Sequence, residues 1–386
     1  MGIYHMQNRS GRFINQPNGY KAFIPNPMPP VPPVVLTDED QVLLSKADRA
    51  LARLDGISYV LPNPDLFVAM YVKKEALLSS QIEGTQASLV DVLEFEAGER
   101  ALKGVNNARE VVNYIQAMNY GLDRIKSLPM SLRLLKEIHS VLLKDVRGGE
   151  RNPGEFKKSQ NWIGPTNLLN DATFIPPPPH ESLNAMGSLE KFFHDKTPLP
   201  PLVKCALIHY QFETIHPFLD GNGRVGRLLI TFYLCWQGIL GRPLLYLSYY
   251  LKRNRQEYYD RLNSVRHHGD FEGWVRFFLR GVAEVSDQAT ETSRRIMELQ
   301  QNDRERILKA KVLSPLAVVL LDKLFLSPTV MVRDVQRLLE TSYPRANELV
   351  SQFEKMGILR EITGGRRNRR FIYAPYVEII AEGTQQ

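Results

Sequence analysis

Cysteine is scarce in this 386-residue chain, which has only Cys205 and Cys235. Both lie in apolar segments, so neither a disulfide framework nor a cysteine metal site is expected, and the thiols suit a reducing compartment, the cytoplasm. Long hydrophobic runs are missing as well. No stretch reaches the roughly eighteen apolar residues of a membrane helix, and no charged segment followed by an apolar one opens the chain. Neither a membrane span nor a signal peptide is expected. Large charge imbalance is also absent: 49 Lys and Arg against 42 Asp and Glu leave a net charge of +7. The excess is local, because Arg366, Arg367, Arg369 and Arg370 fall together near the C-terminus.

Hydrophobic residues make up 43% of the chain, enough for real cores. Its length exceeds that of a usual single domain, so two or three domains are expected. Residues 1–37 are rich in proline and read as an extended arm that could be anchored by Tyr20, Phe23 and Ile24. Helical periodicity and short breaks then dominate to about residue 280, which predicts a mainly α fold.

Chemistry concentrates between Ile208 and Arg227. An apolar segment runs into His216-Pro217, then Asp220, then Gly221-Asn222-Gly223, then Arg224 and Arg227, and then the apolar run from Leu228 to Trp236. This order predicts a helix, an anion-holding turn and a second helix, with glycines that let backbone amides approach phosphate. Arg224 and Arg227, three apart, can clamp phosphoryl groups from one helical face. Asp220 is a hard oxygen ligand suited to magnesium, and His216 has the unperturbed pKa of a general base near neutrality. A nucleotide site for group transfer is the direct reading.

The stretch fits His-x-Phe-x-Asp/Glu-Gly-Asn-Gly-Arg-x-x-Arg in full and so resembles the Fic (filamentation induced by cAMP) family. With eight specified positions, a chance match is on the order of 1 in 10^9 per start site. The resemblance implies AMP transfer from ATP to a Ser, Thr or Tyr hydroxyl of a protein target, the chain itself included. In that scheme His216 is the base, Asp220 holds magnesium or manganese, and Gly221, Asn222, Gly223, Arg224 and Arg227 hold the phosphates. Asn254 and Tyr258 are the candidates for the nucleotide side. Ser79-x-x-x-Glu83-Gly84 is similar to the inhibitory motif of such proteins, which implies that Glu83 pairs with Arg227. Trp162 and Ile163, with Thr173, Phe174 and Ile175, resemble the hairpin flap that registers a target segment.

The expected organisation is an arm (1–37), a helical region with the inhibitory helix (38–120), a Fic catalytic core (121–280), a partly exposed helical connector (281–313) and a C-terminal domain (314–377). Three helices and two short strands in the last segment resemble a winged helix. Arg345 on its third helix, with Arg366, Arg367, Arg369 and Arg370 at the hairpin, would contact double-stranded DNA, although such folds also dock proteins. Removal of AMP, transfer of another phosphate-containing group, and a DNA-binding regulator with a nucleotide-sensing core remain alternatives. A homodimer is compatible with the family pattern. His139 reads as a structural helix residue.

Overall fold

The computed structural model describes residues 8–60, 64–96, 105–166, 168–310, 315–365 and 367–385. Helices α1 (Asp38–Val60), α2 (Pro64–Ile82), α3 (Leu89–Glu96), α4 (Val105–Arg124) and α5 (Leu132–Leu142) come first. Their starts follow local chemistry. At α1, Thr37 and Asp40 exchange side-chain and backbone hydrogen bonds, and Ser88 with Asp91 repeats this reciprocal cap at α3. At α5 the Ser131 hydroxyl accepts from the Leu134 amide.

Helices α6 (Pro179–His194), α7 (Pro201–Ile215) and α8 (Asn222–Trp236) follow, with Pro at the first turn of α6 and α7. Fourteen of the fifteen residues of α7, from Leu202 to Ile215, are buried. A helix apolar on nearly all sides belongs inside. It packs against α8 and gives the loop between them a rigid base.

After α9 (Ser248–Arg253) and α10 (Arg255–His268), α11 runs unbroken from Phe271 to Lys309. The described part of the expected connector, to Lys309, is continuous with the preceding helix and has one side buried and the other exposed. Its buried side includes Ser286, Ala289, Thr290 and Ser293, and Tyr71 of α2 donates to the Ala289 carbonyl at 2.8 Å. Small polar residues at helical spacing bury well but do not register as an apolar stripe. Arg276 donates to Asp40 of α1 from Nε and Nη2, at 2.7 and 3.0 Å.

The N-terminal arm holds a hairpin, β1 (Gly11–Asn15) and β2 (Lys21–Pro25), paired antiparallel. Phe23 is fully buried, and its amide donates to the Ile175 carbonyl at 2.9 Å. The C-terminal part contains α12 (Leu316–Leu326), β3 (Thr329–Met331), α13 (Val332–Leu338), α14 (Tyr343–Lys355), β4 (Arg360–Glu361), β5 (Arg370–Ile372) and α15 (Ala374–Ala381). Its strands form an antiparallel sheet in the order β3-β5-β4. The three expected helices and the hairpin are present, and β3 and α15 are additions.

Candidate active site

The loop between α7 and α8 is shaped by its own side chains. His216 caps α7 in the left-handed region, with φ 48° and ψ 60°. Gly221 precedes α8 at φ 75°, a conformation that glycine adopts freely. Between them, Asn222 accepts from the Phe218 amide and donates to its carbonyl, both at 2.8 Å. The Asn222 side chain is thereby committed to bracing the loop, and only its backbone remains to face an anion.

His139 braces the other side. Its ring stacks on Phe218 with centroids 3.8 Å apart. Nδ1 accepts from the Gly154 amide at 2.8 Å, so Nε2 carries the proton and donates to the Asp220 carbonyl at 3.0 Å. Burial pushes this imidazole down to about 4, which keeps it neutral. Sequence reasoning assigned it no role beyond its helix.

Arg227 is surrounded. Its Nε donates to Ser79 Oγ at 2.7 Å and its Nη2 to the Ser79 carbonyl at 3.0 Å and to Glu83 Oε1 at 2.6 Å. Gly84, at φ 92°, turns the chain away after α2. Burial works to raise the Glu83 carboxyl, but Arg227 outweighs it and holds that group below the usual carboxylate range. Ser79, Glu83 and Arg227, which the sequence places about 150 residues apart, thus meet.

Arg224 is buried too, at 1% exposure, yet its Nε and Nη1 have no protein acceptor, and its Nη2 lies 3.6 Å from Asp220 Oδ1. Buried guanidinium donors without partners are costly unless an anion completes them. The Asp220 carboxylate is one-third exposed and accepts from the Gly221 amide at 2.6 Å. Beside it, His216 is held down to about 3, first by burial and then by the charges of Lys157 and Arg266. A proton acceptor, an open carboxylate and unsatisfied cationic donors therefore fall between the end of α7 and the first turn of α8.

The side chains of Tyr258 and Asn254 are both engaged by other protein groups. Tyr258 is a core residue, 1% exposed, hydrogen-bonded to His209 at 2.9 Å and packed near Trp274, so it offers no face to a base. Its neighbour Tyr259 is half-buried. Asn254 is half-buried between α9 and α10, where its side chain donates to the Tyr250 carbonyl at 3.0 Å.

In the hairpin region a single antiparallel bridge joins Ile163 and Phe174. Phe174 points inward, under Arg266 at 3.7 Å and near Phe23, while the Ile175 carbonyl is taken by β2. Trp162 and Ile163 are half-buried and Thr173 is exposed. Thr173 donates to the Ile163 carbonyl through both its amide, at 2.8 Å, and its hydroxyl, at 3.0 Å. Of the two segments joined by the bridge, the one carrying Trp162 is the less buried, because Phe174 is turned into the core.

At the C-terminal part, Arg370 is 2% exposed within β5 and cannot reach a phosphate. Arg345 is paired with Glu348 at 2.9 Å, Arg369 lies over the Phe371 ring at 5.1 Å, and Arg367 is exposed. Arg366 lies outside the described residues.

Comparison with known proteins agrees with this geometry. Residues 41–123 match the Fic/DOC family N-terminal model and residues 129–234 the Fic/DOC family model. A probable protein adenylyltransferase of Aquifex aeolicus is 30% identical over 200 residues, covering 52% of this chain and 56% of that protein. Protein adenylyltransferase Fic of Nematostella vectensis is 27% identical over 261 residues, covering 64% of this chain and 56% of that one. The chain thus spans little more than half the length of either relative. Among solved structures, a Fic family protein from Desulfovibrio desulfuricans G20 aligns with a TM-score of 0.58 at 20% identity, over 88% of this chain and 97% of that one. A Fic domain containing signaling protein from Bacteroides thetaiotaomicron VPI-5482 aligns at 0.51 and 19% identity, over 66% and 96%. Residues 41–123 and 129–234 are therefore Fic/DOC family domains, set in a mainly helical chain with a Fic fold.

Proposed function

We propose that this protein transfers AMP from ATP to a Ser, Thr or Tyr hydroxyl of a protein, releasing pyrophosphate, and that Glu83 holds the reaction back. The observation that carries this reading is the buried Arg224, whose free donors sit in the first turn of α8, directly after the loop that carries His216 and Asp220. The names of the curated relatives support the same activity.

The target hydroxyl oxygen attacks the α-phosphorus as the bond from that phosphorus to the bridging oxygen of the β-phosphate breaks. The hydroxyl proton passes to His216. Burial and the charges of Lys157 and Arg266 make the imidazole a weak base, and an arriving triphosphate adds negative charge that raises its proton affinity toward the useful range. Arg224 and Arg227 meet the charge that moves onto pyrophosphate. The Asp220 carboxylate, one-third exposed on this loop, is the residue that would hold magnesium or manganese. Such an ion would neutralise phosphate charge. The strand around Trp162 would take the target segment by backbone pairing.

Incorporation of α-labelled ATP tests this. Label should rise in Glu83→Gly and disappear in Glu83→Gly with His216→Ala. A Glu83→Gly protein that binds ATP but incorporates nothing would overturn AMP transfer and favour another transferred group, or AMP removal with Glu83 orienting water.

A second reading concerns the C-terminal part. The order of α12, β3, α13, α14, β4 and β5 supports a winged helix, with α14 and the hairpin as the docking face. Duplex DNA would be met by Arg367 and Arg369, with Arg345 contributing only if it leaves Glu348.

A further inference from the structure

His216 is asked to receive a proton at one defined place, yet its backbone is among the least favourable in the loop. A left-handed conformation outside glycine costs on the order of 1–3 kcal/mol and persists only where its surroundings over-determine it. Resting on the AMP-transfer reading, we propose that Lys157 and Asn161 are positioning residues that clamp the His216 carbonyl, hold the left-handed turn, and tie the proton acceptor to the Trp162 strand.

The contacts converge on one atom. Lys157 Nζ donates to the His216 carbonyl at 3.0 Å, to the Ile215 carbonyl at 3.3 Å and to Asn161 Oδ1 at 2.8 Å. Those three acceptors use all three ammonium protons. Asn161 Nδ2 donates to the same His216 carbonyl at 3.0 Å and to the Phe218 carbonyl at 2.7 Å. The Lys157 amide adds a bond to the Pro217 carbonyl at 2.8 Å. Four consecutive carbonyls, 215 to 218, are thus held by two side chains and one amide.

A cation at the C-terminal end of α7 is also an ordinary helix cap. Two features go beyond that role. Lys157 is only 4% exposed and its three acceptors are uncharged, an expensive way to cap a helix. The second donor, Asn161, directly precedes Trp162 and Ile163, and Ile163 pairs with Phe174. A segment docking along the Trp162 strand would therefore act on the His216 carbonyl through one intervening residue.

The test uses the full chain carrying Glu83→Gly, with Lys157→Met, Lys157→Arg or Asn161→Ala added. Lys157→Met should lower kcat about tenfold to a hundredfold, the scale of a misplaced reacting group, with KM for ATP within about twofold. Lys157→Arg, which can still donate to these carbonyls, should recover most of the loss. Amide exchange over residues 215–219 should quicken in Lys157→Met and not in Lys157→Arg. If Lys157→Met fails to fold, Asn161→Ala removes a donor from the same carbonyl and should show the same split at smaller size. Unchanged kcat and exchange would overturn the clamp, as would equal losses in kcat and in ATP binding. If the Glu83→Gly parent incorporates no label, AMP transfer fails, and exchange still decides whether the clamp holds the turn.

Discussion

The carboxylate of Glu83 lies 2.6 Å from the Arg227 guanidinium, in space kept open by Gly223, where a Cβ would collide with Glu83 Oε1. The same glycine that would admit a phosphate admits the carboxylate. Competition for one guanidinium should therefore be graded by charge. Glu83→Gln keeps a hydrogen bond without the charge, and Glu83→Gly keeps neither. A charged hydrogen bond is worth about 1.5–3 kcal/mol, so incorporation should rise roughly tenfold to a hundredfold in Glu83→Gly, with Glu83→Gln between it and the native protein. Equal label in all three would separate the contact from control of the activity.

His139 gives a pH prediction whose sign follows from its burial. The imidazole titrates at about 4 when folded, against about 6.5 when exposed. The unfolded chain thus binds this proton first as pH falls. Stability from the neutral ring is fully present above 6.5 and is lost as pH falls toward 4, by an amount on the order of 3 kcal/mol. Urea unfolding of native and His139→Gln proteins should show the native advantage shrinking between pH 7.5 and 4.5. A pH-independent difference would remove the neutral His139 from the account.

Glu213 predicts the opposite slope. Burial raises its carboxyl to about 7, partly countered by Arg227. Oε1 is buried without a hydrogen-bond partner against Gly226, where a Cβ would collide with it. The folded chain holds this proton between pH 4.5 and 7 while the unfolded chain has released it. Stability from the neutral carboxyl is therefore present below 4.5 and lost as pH rises through 7. Glu213→Gln should be nearly neutral at pH 5 and stabilising at pH 8, measured by thermal unfolding. A variant destabilised equally at both would show that Glu213 is ionised in the fold.

The loop from His216 to Arg227 was legible because its residue types state their chemistry in one contiguous run. Glu83 meeting Arg227 was legible only through resemblance, since no spacing rule links residues so far apart. Tyr258 and Tyr259 illustrate the limit: adjacent helical residues point about 100° apart, and composition cannot say which one faces the core. Phe174 and Arg370 show the same limit on strands, where a one-residue shift exchanges inside for outside. That α11 continues across residue 280 was not legible, because Ser, Ala and Thr at its buried positions pack closely without looking hydrophobic. Lys157 and His139 act through backbone carbonyls, and no residue pattern announces that.

The C-terminal arginines can be sorted by burial before any binding is measured. If α14 and the hairpin dock on duplex DNA, neutralising the exposed Arg367 and the partly exposed Arg369 together removes about two phosphate contacts, so the slope of log K against log salt should fall by about 1.8. Arg345→Ala should change little, because that side chain is held by Glu348. Arg370→Ala should instead lower the melting temperature, since it empties a buried position in β5 between β3 and β4. Titrating labelled duplexes at several salt concentrations checks all three. A slope near zero for the native protein would show that this face takes no phosphate backbone, leaving a protein as the partner its shape can accept.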